Sequence, residues 1–100
     1  MAAITVLGIA QDGGRPQPGC QRPCCQDLSA ADYRSPVSLG IKTENGTTIL
    51  IEATRDLGRQ LITFGEPSID SLFLTHANLG HVDGLGLFGR ETMSARGIPL

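Results

Sequence analysis

A chain of 100 residues, 40% hydrophobic and 18% charged with a formal net charge of −2, reads as one soluble globular domain with a thin core. That charge gives no footing for nucleic acid or an anionic membrane surface, and no apolar run reaches the roughly 18 residues a membrane span needs. The opening MAAITVLGIA has neither a charged n-region nor a long h-region, so the reading is mature, cytoplasmic sequence.

Residues 4–9 open the chain with Ile4, Val6, Leu7 and Ile9, a short and partly β-branched apolar run that stops at glycine-rich sequence, which predicts a first strand. Residues 11–23 hold Gly13, Gly14, Pro16, Pro18, Gly19 and Pro23 and therefore form a loop. Structureless loops of this length in compact domains are usually functional or disordered. Cys20, Cys24 and Cys25 lie in and just after that loop; an odd number in one cluster cannot be a closed set of disulfides, and free or metal-bound thiols in a reducing compartment fit better.

Residues 37–42 alternate Val37, Leu39 and Ile41 with Ser38, Gly40 and Lys42, the period of a half-buried strand. Asn45-Gly46 supplies the positive-φ turn favoured by two-residue hairpins, and residues 47–51 return as the second arm. Thr54 can cap a short helix in which Leu57, Leu61, Ile62 and Phe64 recur at near-helical spacing before Gly65 and Pro67 end it. Residues 69–75 predict another buried strand. Residues 84–96 suit a helix stopped by Gly97, and Ile98-Pro99-Leu100 reads as the start of a strand, so truncation is the simplest account of the C-terminus.

His76 and His81, the two histidines of the chain, bracket a loop at the C-terminal end of the strand over residues 69–75. Metal sites commonly draw ligands from such loops, because a rigid strand fixes one imidazole while the loop aims the other. Two unrelated surface histidines are the plain alternative. Gly8-x-Ala10-x-x-Gly13 does not make a dinucleotide fingerprint, since alanine replaces the middle glycine and Pro16 and Pro18 forbid the following helix. Arg55, Arg59 and Arg90 are scattered and read as solvated faces.

Thr75-His76-Ala77-Asn78-Leu79-Gly80-His81-Val82-Asp83-Gly84 resembles the T-H-x-H-x-D-H-x-x-G signature of the metallo-β-lactamase superfamily, with Thr75, His76, His81 and Gly84 in register. Asn78 stands where the family has its second histidine, and Gly80 where it has the aspartate. Upstream, Leu7-Gly8, the cysteine loop and Thr54-Arg55-Asp56-Leu57-Gly58-Arg59-Gln60-Leu61 are similar to the branch that includes pyrroloquinoline-quinone biosynthesis protein B.

The resemblance implies an α/β fold: the N-terminal half of an αβ/βα sandwich, a mixed and largely antiparallel sheet with helices on one face, spread over residues 1–100 as a partial domain. It implies zinc or another divalent metal, hydrolysis or related oxygen chemistry of an unknown small-molecule substrate, and further ligands beyond Leu100. His76 and His81 would fall to different half-sites, with Asn78 a weak, neutral ligand and Gly80 supplying no donor. Asp83 is either a substitute carboxylate or a helix-start aspartate. Asp56 either accepts a hydrogen bond from a ligand imidazole and holds its tautomer, or is an ordinary helix N-terminal carboxylate. Cys20, Cys24 and Cys25 form either a separate structural metal knuckle, needing a fourth ligand from elsewhere, or a loop of unligated thiols. A homo-oligomer stays open. So do a non-catalytic binding protein of the same fold and a fragment without independent function.

Overall fold

The structure is a computed structural model that describes residues 2–66, 68–75, 82–88 and 98. Four strands, β1 (Ala3–Gly8), β2 (Ser38–Lys42), β3 (Thr48–Ile51) and β4 (Ser71–Phe73), pair in the order β1-β2-β3-β4. The first two pairings are antiparallel and β3-β4 is parallel. The parallel pair requires a crossover, which helix α1 (Leu57–Phe64) provides. The sheet is therefore mixed and largely antiparallel, as the alternation and turn chemistry predict.

The β2-β3 connection differs from a two-residue hairpin. Gly46 N donates to Thr43 O at 3.0 Å, Thr43 N donates to Thr47 O at 2.9 Å, and Gly46 alone of the Asn45-Gly46 pair takes a positive φ, 82°. This is a three-residue loop closed by a left-handed glycine, the geometry in which one αL residue absorbs the strand twist.

Alternation along the strands gives the sheet two unlike faces. Leu7, Leu50 and Leu72 point to one side and form the core with Ala53, Leu57 and Ile69. Helix α1 lies there, turning Leu57, Gln60, Leu61 and Phe64 inward at the i, i+3, i+4, i+7 spacing of one helical stripe. Gly40 admits it: a Cβ at this position would stand 2.7 Å from the Phe64 ring. Ile62, expected within the apolar stripe, is 82% exposed instead, because the fourth inward place of the stripe belongs to Gln60. Gly65 ends the helix at φ 78°, its N–H returning to Leu61 O.

The opposite face carries two cross-strand rows, Ile4-Ile41-Ile49-Ser71 and Val6-Leu39-Ile51-Phe73. Seven of these eight side chains are apolar and none is charged, yet Ile4, Val6 and Phe73 are more than half exposed. A sheet with one helix-covered face and one bare apolar face is one half of a layered α/β sandwich.

Residues 11–37 do not form a regular element, but they are tied down. Arg15 and Arg34 make an antiparallel bridge, Ala10 bridges Pro36, and a single 3-10 turn spans Ala30–Asp32. Of the helix expected over residues 84–96, the described part is a 3-10 helix, Leu85–Phe88; the remainder, like the strand expected from Ile98 to Leu100 except Ile98 itself, lies outside the described residues. No helix among the described residues is long and apolar enough to cross a membrane.

Candidate metal centre

His76, Asn78 and His81 lie outside the described residues, but the chain on each side of residues 76–81 is described, and both sides are fixed to the same short segment after β3. On the entry side, Glu52 is 2% exposed and accepts from Thr75 with both carboxylate oxygens: Oε1 from Thr75 N–H at 2.8 Å and Oε2 from Thr75 Oγ1 at 2.9 Å. Glu52 holds this pose with φ at 71°, a left-handed conformation uncommon for a residue with a side chain. Its own N–H extends the β3-β4 pairing to Phe73 O at 2.9 Å, and its carbonyl accepts from Ser38 Oγ at 3.1 Å.

On the exit side, Gly84 N donates to Ala53 O at 2.9 Å. A Cβ on Gly84 would overlap the Thr54 carbonyl, so the backbones approach as closely as only glycine permits. Arg55 Nε pairs with Asp83 Oδ2 at 3.0 Å. Asp83 Oδ1 is buried with no hydrogen-bond partner among the described residues. Asp83 is thus half-buried and ion-paired through one oxygen rather than facing solvent, with its second oxygen turned inward.

Thr54 joins this segment to α1. Its Oγ1 accepts from Asp56 N at 3.1 Å and donates to Gln60 Oε1 at 2.7 Å, while its carbonyl accepts from Leu57 N at 3.1 Å. Gln60, 1% exposed, spends its amide donors on Leu7 O at 3.3 Å and Pro36 O at 3.0 Å. A buried amide thus links α1, β1 and the entry to β2, with every bond directed. Asp56 is the residue preceding α1; it is half-buried and makes no side-chain capping bond, and the imidazoles it was expected to meet are outside the described residues.

Glu52 and Gln60 are the residues that sequence reasoning missed as organisers. A signal for Glu52 exists: a carboxylate placed immediately after the apolar run Thr48–Ile51, where the strand is buried, must be paired.

The cysteines are brought together in a way that the odd count and the adjacency of Cys24 and Cys25 do not suggest. Cys20 Sγ stands 4.0 Å from Cys24 Sγ, Cys24 Sγ stands 3.8 Å from Cys25 Sγ, and all three sulfurs lie within 4.8 Å of one another. A tetrahedral zinc with Zn–S bonds of about 2.3 Å sets its sulfurs about 3.8 Å apart. The Cys20–Cys24 and Cys24–Cys25 spacings are close to that edge, so the three thiols could hold such an ion. Among the described residues the group has these three members.

No family model matches the chain. Solved structures do. A diphosphatase of the PhnP family aligns at a TM-score of 0.75 and 31% identity over 88% of this chain and 34% of that one. Zn(2+)-bound PqqB from Methylobacterium extorquens aligns at a TM-score of 0.74 and 25% identity over 92% of this chain and 35% of that one. The fold matches the N-terminal part of a metallo-β-lactamase-type αβ architecture, and the chain is similar to the branch that includes PqqB.

Among curated proteins, the coenzyme PQQ synthesis protein B of Methylobacterium sp. (strain 4-46) is 33% identical over 85% of this chain. An octanoyltransferase of Porphyromonas gingivalis (strain ATCC BAA-308 / W83) is 36% identical over 80% of it. The chain spans about a third of the first of these, 32%, and 16% of the second.

Proposed function

We propose that residues 1–100 are a partial metallo-β-lactamase-like domain of a metal-dependent, hydrolase-like protein related to quinone-cofactor biosynthesis, with His76 and His81 as its part of the metal site. The observation that carries this reading is the anchoring of the chain on both sides of residues 76–81: Thr75 is held by Glu52, Asp83 by Arg55 and Gly84 by Ala53. Ligands are useful only when their approach is fixed, and a buried carboxylate at positive φ is a costly way to fix a loop that has no task. The resemblance to a zinc-bound relative supports the same reading. A divalent metal held there would supply Lewis-acid polarisation of a scissile bond. The chain's own part is to aim His76 and His81, with Asn78 a weak neutral neighbour and Asp56 a candidate acceptor for an imidazole N–H.

Cys20, Cys24 and Cys25 are, in this reading, three ligands of a separate structural zinc, supported by their sulfur spacing, with the fourth ligand from outside the described residues. Residues after position 100, or a partner chain, supply what completes the histidine site, and the substrate is a small molecule.

The test is metal analysis of the purified chain after dialysis against trace zinc, on three forms. The expected result is that Cys20→Ser with Cys24→Ser loses one population of zinc, that His76→Ala with His81→Ala loses a second and weaker one, and that the unaltered chain holds both. Metal-free folded protein would reject the reading. A second reading, that the fold is retained for binding without catalysis, is favoured by Asn78 and Gly80, which supply no strong donor. It expects that Asn78→His with Gly80→Asp fails to raise zinc affinity; the first reading expects a rise of tenfold or more.

A further inference from the structure

The cysteine loop has a property that metal binding does not exhaust. Cys24 is exposed and opens, with Arg15 and Arg22, into a cavity of about 760 Å³. Two other thiols stand beside it, and the three are not equivalent. Cys25 Sγ is half-buried and accepts from Gln17 N–H at 3.4 Å. Cys24 and Cys25 are neighbours in sequence, so a trans peptide fixes their Cα atoms about 3.8 Å apart, short of the roughly 4.4 to 6.8 Å over which disulfides close without strain. Cys20, four residues from Cys24, is under no such restriction, and its Sγ is already 4.0 Å away.

The backbone holds that pair in place. Arg15 Nε donates to Cys24 O at 2.8 Å, and Gln26 Nε2 donates to Cys20 O at 3.1 Å. Cys20 N and Cys25 N close turns onto Gln17 O and Arg22 O at 3.0 and 2.9 Å. With the main chain tied, side-chain rotation is the motion left to carry one sulfur to the other.

We propose that Cys20 and Cys24 are an oxidation site, with Cys24 the thiol that hydrogen peroxide oxidises and Cys20 the resolving thiol, while Cys25 stays reduced. The Cys24 sulfur attacks one peroxide oxygen, the O–O bond breaks, and the chain gains a sulfenic acid as one water leaves. The Cys20 sulfur then attacks the Cys24 sulfur, the S–O bond breaks, and the second water departs with the Cys20 proton. In sum, two thiols and one peroxide give one disulfide and two waters; sulfur is oxidised and peroxide oxygen reduced. The disulfide removes two of three thiolates from any metal held there, so oxidation and metal retention exclude one another.

The experiment treats the chelator-stripped chain with hydrogen peroxide, blocks remaining thiols with N-ethylmaleimide and reads the intact mass and the labelled position. The expected result is a loss of about 2 Da before blocking and a single label, at Cys25. Cys25→Ser should still lose that mass. Cys20→Ser should not, and should instead leave a dimedone-reactive sulfenic acid at Cys24. A bridge to Cys25, chiefly intermolecular dimers, or three unreacted thiols would overturn the proposal. Because this arm contains no metal, its result is independent of the zinc reading. In a parallel arm the zinc-loaded chain should release zinc in step with disulfide formation, and a chain that binds no zinc would count against the metal reading alone.

Discussion

Replacing Glu52 by alanine tests the anchoring argument most directly. Glu52 is buried at 2% exposure, and its two oxygens receive the N–H and Oγ1 of Thr75. Hydrogen bonds to a charged acceptor contribute about 1.5 to 3 kcal/mol each, and their loss leaves the Thr75 donors to find water. Against this stands the cost of burying the carboxylate itself, which alanine removes. The positive φ of 71° is no easier for alanine than for glutamate, so backbone strain remains. The net expectation is a loss of about 2 to 4 kcal/mol for Glu52→Ala. Glu52→Gln keeps one carbonyl acceptor in place and should lose about 1 to 2 kcal/mol. Urea unfolding followed by far-UV circular dichroism measures both, and a cycle with Thr75→Val should return a coupling of about 1 kcal/mol or more. A Glu52→Ala chain within about 0.5 kcal/mol of the unaltered one would refute the claim that this carboxylate fixes the end of β4.

Other substitutions probe the remaining contacts. Gly84→Ala should cost about 2 kcal/mol or more, since its Cβ would overlap the Thr54 carbonyl, and amide hydrogen exchange at Gly84 should accelerate. Gln60→Ala removes the amide donors to the Leu7 and Pro36 carbonyls and the acceptor of the Thr54 hydroxyl; the expected loss is about 2 to 3 kcal/mol by the same urea assay. Phe73→Ser lowers the apolar content of the bare sheet face and should reduce binding of a hydrophobic dye without a matching loss of stability, because Phe73 is 54% exposed. Reversing the exit ion pair with Arg55→Asp should weaken the anchoring, and adding Asp83→Arg should restore part of it; thermal melts at low and high salt read the difference.

Strands β1 to β3, the helix and its glycine stop follow from period, β-branching and caps, all local properties, and these elements appear within a residue or two of their predicted ends. The resemblance to the metallo-β-lactamase superfamily was legible as well, from Thr75, His76, His81 and Gly84 in register. What local pattern cannot carry is which polar groups become buried. Gln60 was read past because it occupies a helical position where a leucine would satisfy the stripe, and it is inward because three backbone and side-chain partners, separated from it by as many as 53 residues, converge there.

The same division holds for the sites. Sequence by itself determined the strand order's ingredients, the turn at Gly46, the apolar alternation and the metal-capable side chains at His76, His81 and the three cysteines, because each depends on residues a few positions apart. The three cysteines are close in sequence as well, but it is the folding of their loop, tied by Arg15 and Gln26, that brings Cys24 Sγ to about 4 Å from Cys20 Sγ and Cys25 Sγ. Tertiary structure alone decided that Glu52 clasps Thr75, and that Gly84 is a glycine because a carbonyl from the segment after β3 lies against it. The contacts of Glu52 with Thr75 and of Thr54 with Gly84 join parts of the chain 23 or more residues apart, and only the closing of the β3-β4 crossover brings them together.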